Sequence, residues 1–238
     1  MKIAQIPINK TCKEREILNN ELSFDNKKIL ELGCGKAKLT RIIAQGGKNG
    51  GKNRHVTATE VDKIQHEKNC AITDLPNVDF VFAGSQDLPF EDNSFDVILL
   101  FKSLHHVPME YMASAMKEIA RVLKPGGLVY ISEPIFAGDF NDILRLFHDE
   151  QEVRAVAFDA IKNSVKAGDL KLVKQIFFNT PRNYPEFSDF EQLIINVTHS
   201  NHHLSDELMI EVKEKFMAHM TDTGAHFDTP IRVDLLTK

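Results

Sequence analysis

Cysteine is scarce: Cys12, Cys34 and Cys70 are the only three in 238 residues. They are odd in number, widely spaced and without a C-x-x-C pair. That pattern gives neither a disulfide framework nor a zinc site, so no metal is expected, and it points to a reducing, cytoplasmic setting. Long apolar runs are missing as well. The first ten residues, MKIAQIPINK, lack the apolar core of a signal peptide, and no later run approaches the ~20 residues that a membrane span requires. An excess of positive charge is also absent. With 29 basic against 34 acidic side chains, the net charge of -5 removes the electrostatic case for a nucleic acid substrate. There is no internal repeat and no low-complexity segment. What is left is an ordinary globular composition, 42% hydrophobic and 26% charged, in a chain long enough to bury a sizeable core as one large domain.

The chain is organised around Lys28 to Gln45, KILELGCGKAKLTRIIAQ. Ile29, Leu30 and Leu32 form a short apolar run, as expected of a parallel strand buried on both faces. Glu31 interrupts it. A carboxylate is costly to bury unpaired, which places it at the carboxyl end of the strand, facing a ligand crevice. Gly33 and Gly35 allow a tight turn and close approach of a ligand to the main chain. Leu39, Ile42 and Ile43 then recur at helical spacing, so the first turn of that helix points free N–H groups back at the glycines. A dinucleotide fingerprint G-x-G-x-x-G requires glycine at 38, where Lys38 stands, and no G-K-[ST] follows for a phosphate loop. A plain glycine turn in any α/β protein is the remaining alternative.

GGKNGGKNR, residues 46–54, reads as a solvated connection. HVTATEVDK gives a second strand ending at Glu60, where a carboxylate can accept hydrogen bonds from both hydroxyls of a ribose. That favours an adenosine cofactor without choosing between S-adenosylmethionine and a nicotinamide dinucleotide. Val78 to Phe82 and the strongly apolar Val97 to Phe101 follow as strands. MEYMASAMKEIARVL forms a helix with Met112, Met116, Ile119 and Leu123 on one face, and K-P-G-G turns into a fifth strand that ends at Glu133.

E-L-G-C-G, the passage from Leu88-Pro89-Phe90 to Phe95-Asp96, the loop FKSLHHVP and R-V-L-K-P-G-G together resemble the class I S-adenosylmethionine-dependent methyltransferases. Within that class the chain resembles the small-molecule enzymes with a ubiquinone/menaquinone-methyltransferase-related core. The resemblance covers residues 1 to about 134. It departs at Ala37, where a third glycine is usual, and at Gly84, where an aspartate usually holds the adenine amino group. It implies a doubly wound, mostly parallel seven-stranded α/β sheet of order 3-2-1-4-5-7-6, the last strand antiparallel, with helices on both faces and a helical cap. The implied cofactor is S-adenosylmethionine, bound by Glu31, Gly33, Cys34, Gly35, Glu60, Val61, Ser85, Gln86 and Phe101. His106 and then Glu133 are the candidate general bases, and the acceptor is a small, partly hydrophobic molecule. A non-catalytic cofactor- or partner-binding protein of the same fold is the first alternative, an adenosine-cofactor oxidoreductase the second.

The whole of 1–238 reads as one methyltransferase domain. Residues 1–27 form an N-terminal helical segment and a candidate lid. Residues 135–168 carry Phe136, Phe140, Leu144, Phe147 and Phe158, too apolar for an exposed helix, and read as a cap over the substrate or the contact face of a homodimer. A sixth strand starts near Leu170. Residues 181–223 read as helical, with serine and acidic starts at FSDF and LSDE suited to capping, and HFDTPIRVDLLTK as the final strand. HSNHH lacks the spacing of a metal-ligand set, while His199 or His202 could reach a substrate.

Overall fold

In the computed structural model, which describes residues 1–46, 52–196 and 204–238, the apolar runs of the first half become the inner strands of one sheet. β1 (Lys28–Leu32), β2 (His55–Glu60), β3 (Val78–Phe82), β4 (Phe95–Phe101) and β5 (Leu123–Pro134) are parallel. β8 (Gly224–Thr237) runs antiparallel between β5 and β6 (Lys171–Tyr184). The order is β3-β2-β1-β4-β5-β8-β6, and the two-residue β7 (Met220–Thr221) pairs with β8. With β8 as the seventh long strand this is the expected 3-2-1-4-5-7-6 arrangement, and β7 is an addition to it.

Helices cover both faces. α4 (Met112–Val122) and α6 (Gln151–Ala167) press Met116, Ile119, Ala157 and Ile161 onto one face. On the other, α1 (Glu14–Glu21) and α2 (Lys38–Gln45) contribute Ile17, Leu18 and Ile43 beside Tyr130 and Phe178. Each such leucine, isoleucine, methionine or phenylalanine, fully buried, contributes roughly 1.5–3 kcal/mol. α3 (Lys63–Cys70) packs on β2 and β3, with Asp62 as its N-cap accepting from the Ile64 and Gln65 amides. Asp96 braces the lower end of the sheet: its carboxylate accepts from the Lys28 amide at 2.9 Å and the Lys124 ammonium at 3.0 Å. The Leu88–Phe90 passage is held from α4, where Arg121 donates to the Leu88 and Phe90 carbonyls and Glu118 accepts from the Leu88 amide.

A separate aromatic cluster joins α5 (Asp139–Leu144), α7 (Phe187–Phe190) and α8 (Asp206–Met217) to the ends of β6 and β8. Its core is Phe140, Tyr184, Phe190, Phe216 and Phe227, all buried. Residues 135–168 are therefore divided: α5 joins this cluster, while α6 packs into the main core against α4. The helical reading of 181–223 is corrected at its start, because β6 runs on to Tyr184 in register with Ala225. Glu186, not serine, caps α7, and a π-helical turn follows at Glu191–Ile195. Ser205 caps α8, accepting from the Leu208 amide at 3.2 Å. K-P-G-G is a bulge within β5: Phe95 pairs with Leu123 but Val97 with Leu128, and Gly126 takes φ +75°.

Before α1 the chain is an extended strap. The Lys2 amide donates to Gln175 (2.7 Å), the Ile3 carbonyl accepts from Arg232 (3.0 Å), and Lys10 and Cys12 exchange backbone bonds with Asn179. Most of the 46–54 connection, and His199, His202 and His203, lie outside the described residues. His219 packs on Phe227 and His226 bonds Asn183 and Thr223.

Candidate active site

The glycine turn lies at the carboxyl end of β1, with Gly33, Gly35 and Ala37 at φ +72°, +51° and +54°. Gly33 has no room for a side chain, since a Cβ there would come within 2.8 Å of that of Ser103, whose hydroxyl donates to the Leu32 carbonyl. Gly35 is different: a Cβ would meet nothing within 4 Å, so the space above it is open. Glu60, at the tip of β2, reaches across to the turn. Its Oε2 accepts from the Gly35 amide at 2.8 Å, and its Oε1 from the Val61 and Asp62 amides at 2.8 and 2.9 Å. The Cys34 thiol is buried and bonded by Asn69, and burial, then the charges of Glu31 and Glu60, push its pKa up. It is not a reactive thiolate.

Glu31 is 2% exposed, and its Oε2 has no hydrogen-bond partner. Burial pushes its pKa up to about 7, opposed by the Thr40 hydroxyl. An orphaned carboxyl oxygen beside an open glycine turn suits a ligand with a cationic donor. Val61 just past β2, Ile64 in the first turn of α3 and Phe82 at the end of β3 are 61%, 65% and 56% exposed, an apolar edge fit for a flat ring. Phe82 was missed in the sequence reading, although an aromatic residue closing the VDFVF strand is the signal for it. Ser85 and Gln86 are half-buried nearby in the chain, and the Gln86 amide folds over Gly84, filling the space a side chain there would take. Phe101, half-buried at the end of β4, stacks toward Tyr130 with ring centroids 5.7 Å apart.

Lys102 follows at φ +56°, its ammonium paired with Glu14 of α1. This left-handed residue swings the chain into the 3-10 turn Leu104–His106. The β4–β5 register places Glu133 next to that turn, where it accepts from the Leu104 amide at 3.0 Å and pairs with His105 Nδ1. Glu133 is 2% exposed with both oxygens engaged, so it orients His105 rather than reaching into the crevice as a base or substrate contact. His105 is buried and turns Nε2 to Glu150 Oε1 at 3.6 Å. Glu150 also pairs with His148 and Arg154. Burial works to raise the Glu150 carboxyl, but the charges of His105 and Arg154 outweigh it and its pKa is lowered.

His106 stacks on His105 with ring centroids 4.1 Å apart. It is exposed to solvent yet set in a hollow of protein, so burial and then the neighbouring imidazole lower its pKa to about 4. At neutral pH the ring is uncharged and can accept a proton. Donor atoms of His105, His106 and Glu150 lie within 4.8 Å of one another, a spacing a divalent ion could bridge, although Glu150 is engaged by His148 and Arg154. No helix among the described residues is long and apolar enough to cross a membrane.

The Methyltransferase domain family matches residues 30–131, the stretch that carries the glycine turn, Glu60 and the His105–His106 turn. Over that stretch, less than half of its length, the chain is similar to methyltransferase domains. It is 35% identical over 144 residues to the O-methyltransferase rstn1 of Aspergillus nomiae, covering 57% of this chain and 60% of that protein. It is 33% identical over 134 residues to the demethylmenaquinone methyltransferase of Staphylococcus epidermidis, covering 49% and 54%. The chain thus spans little more than half the length of the curated relatives it matches. Among solved structures, the [4+2]-cyclase SpnF superposes with a TM-score of 0.58 at 18% identity, over 94% of this chain and 78% of that one. A SAM-dependent methyltransferase of Aquifex aeolicus gives 0.56 at 12% identity, over 94% and 89%. At such identities these two speak for the methyltransferase fold alone.

Proposed function

We propose that the protein transfers a methyl group from S-adenosylmethionine to a small, partly hydrophobic acceptor. The observation that carries this is the convergence of the open turn at Gly35, the unpartnered Oε2 of Glu31 and the carboxylate of Glu60 at the ends of β1 and β2. The residues fit the cofactor. Glu31 would face its ammonium group, Glu60 its ribose, and Val61 and Phe82 its adenine. When bound, S-adenosylmethionine supplies an electrophilic methyl group on a sulfonium.

The protein's own work is then to align the acceptor, exclude water and accept a proton where the acceptor carries one. His106, uncharged at neutral pH, accepts that proton on a ring nitrogen. Glu133, through His105, holds the turn that presents His106.

Calorimetry with S-adenosylmethionine and S-adenosylhomocysteine tests the reading. Both bind the intact protein, and Glu60→Ala weakens them at least ~10-fold, about 1.4 kcal/mol, through loss of charge-assisted hydrogen bonds. An intact protein that binds neither sinks the proposal, and unaltered binding by the variant removes the ribose assignment.

A further inference from the structure

A cavity of about 180 Å³ opens beside the end of β5, walled by Ile3 of the strap, Ile135, Phe136 and Ala155, with Arg154 and Arg232 among its lining. Two arginines in a small, largely apolar cavity need an account. Arg232 is 2% exposed: its Nε donates to Asp234 at 2.7 Å, its Nη1 to the Ile3 carbonyl at 3.0 Å, and its guanidinium lies 4.5 Å from the Phe158 ring centre. Its Nη2 has no partner. Arg154 gives Nη1 to Asn141 at 3.0 Å and Nη2 to Glu150, and its Nε has no partner either. Each guanidinium is thus fixed by a fold-internal carboxylate and keeps one buried nitrogen in want of an acceptor.

We propose that this cavity binds the carboxylate of a small, partly apolar organic acid. A carboxylate carries two oxygens in one plane, able to accept from one nitrogen of each arginine, and guanidinium donors match that geometry. Asp234 and Glu150 already offset the charge of the two arginines, so the site holds an anion by hydrogen bonds from the free nitrogens, and a single charge is the least costly to add. A dianionic phosphate would leave charge uncompensated in an apolar enclosure. Ile135, Phe136 and Ala155 receive the hydrocarbon part. The cavity also adjoins the reaction crevice. Its wall residue Pro134 follows Glu133, and Arg154 shares Glu150 with His105. On the methyl-transfer reading, on which this last step rests, the acid held here is the acceptor, anchored by its carboxylate one side chain away from the imidazole pair.

The test titrates benzoate, benzamide and inorganic phosphate into the full chain by calorimetry, with S-adenosylhomocysteine in parallel as a report on the fold. Benzoate binds with a Kd of about 1 mM, as suits a ligand of its size. Benzamide and phosphate bind at least ~10-fold more weakly. Ala155→Leu, which fills the cavity without touching a charge, abolishes benzoate binding while S-adenosylhomocysteine still binds, and Arg232→Met weakens benzoate at least ~10-fold. Equal binding of benzoate and benzamide, a preference for phosphate, or benzoate binding that survives Ala155→Leu overturns the proposal. An unsubstituted chain that binds S-adenosylhomocysteine but not benzoate refutes the acid site alone. Benzoate binding without S-adenosylhomocysteine binding refutes the methyl donor and leaves the site standing.

Discussion

Replacing Glu31 by glutamine isolates the ionisation of one buried carboxyl. Burial holds the Glu31 pKa at about 7, against about 4.5 for an ordinary glutamate. The folded chain therefore keeps this proton where the unfolded chain has released it. The contribution is fully stabilising below the unfolded value and is lost as pH rises through the folded one. A shift of about 2.5 units corresponds to roughly 3 kcal/mol at high pH, of which about 2–3 kcal/mol falls between about pH 5 and about pH 8. Glutamine keeps the shape and does not ionise. Urea unfolding of both proteins at the two pH values gives a double difference from which the histidines and other carboxylates cancel. The stability of wild type relative to Glu31→Gln falls by about 2–3 kcal/mol on going to the higher pH. A double difference under about 0.5 kcal/mol refutes the buried, unpaired carboxyl. With S-adenosylhomocysteine, whose ammonium group favours the ionised form, binding to wild type near pH 6.5 releases a proton, visible as a buffer-dependent heat of binding that Glu31→Gln loses.

Three further outcomes follow from named features. Ala37 is buried at φ +54°, so Ala37→Gly relieves left-handed strain and stabilises by about 0.5–1 kcal/mol, raising Tm by ~2–4 °C; a lower Tm refutes this. Phe190→Ala opens the centre of the aromatic cluster and costs about 3–5 kcal/mol in urea unfolding, whereas a loss below about 1 kcal/mol means that the cluster stands outside the cooperative core. The imidazole resonance of His106, followed by NMR, titrates near pH 4, with the ring neutral above that point and charged below it. A midpoint near 6.5 shows the hollow to be as wet as bulk solvent.

What could be read from the sequence depends on the distance over which each feature is encoded. The β1 run, the glycine turn and the tip of β2 are set by neighbouring residues, and their periodicity and spacing disclosed them. The sheet order followed once enough strand–helix units were in sequence. Glu133 was read as facing ligand because it ends a strand, and its engagement with His105 depends on the pairing of β4 with β5 across 28 positions. Arg154 and Glu150 look like surface charges on an amphipathic helix, and only the packing of α6 against the core buries them. The same holds for Arg232 and Asp234, buried in β8 between β5 and β6. Long-range burial converts charged residues from solubility features into fixed parts of a site, and no local pattern announces it.

The strap gives the molecule an order of completion. Residues 2–12 attach to β6 and β8, strands synthesised more than 160 residues after them. Ile3 closes the arginine cavity by accepting from Arg232. The sheet from β1 to β5 can assemble from local units as the chain emerges, but the cavity cannot exist until the seventh long strand is in place and the earliest residues have returned to lie over it. The segments that carry the glycine turn and Glu60 can therefore pack before β8 is made, whereas the arginine cavity is completed last.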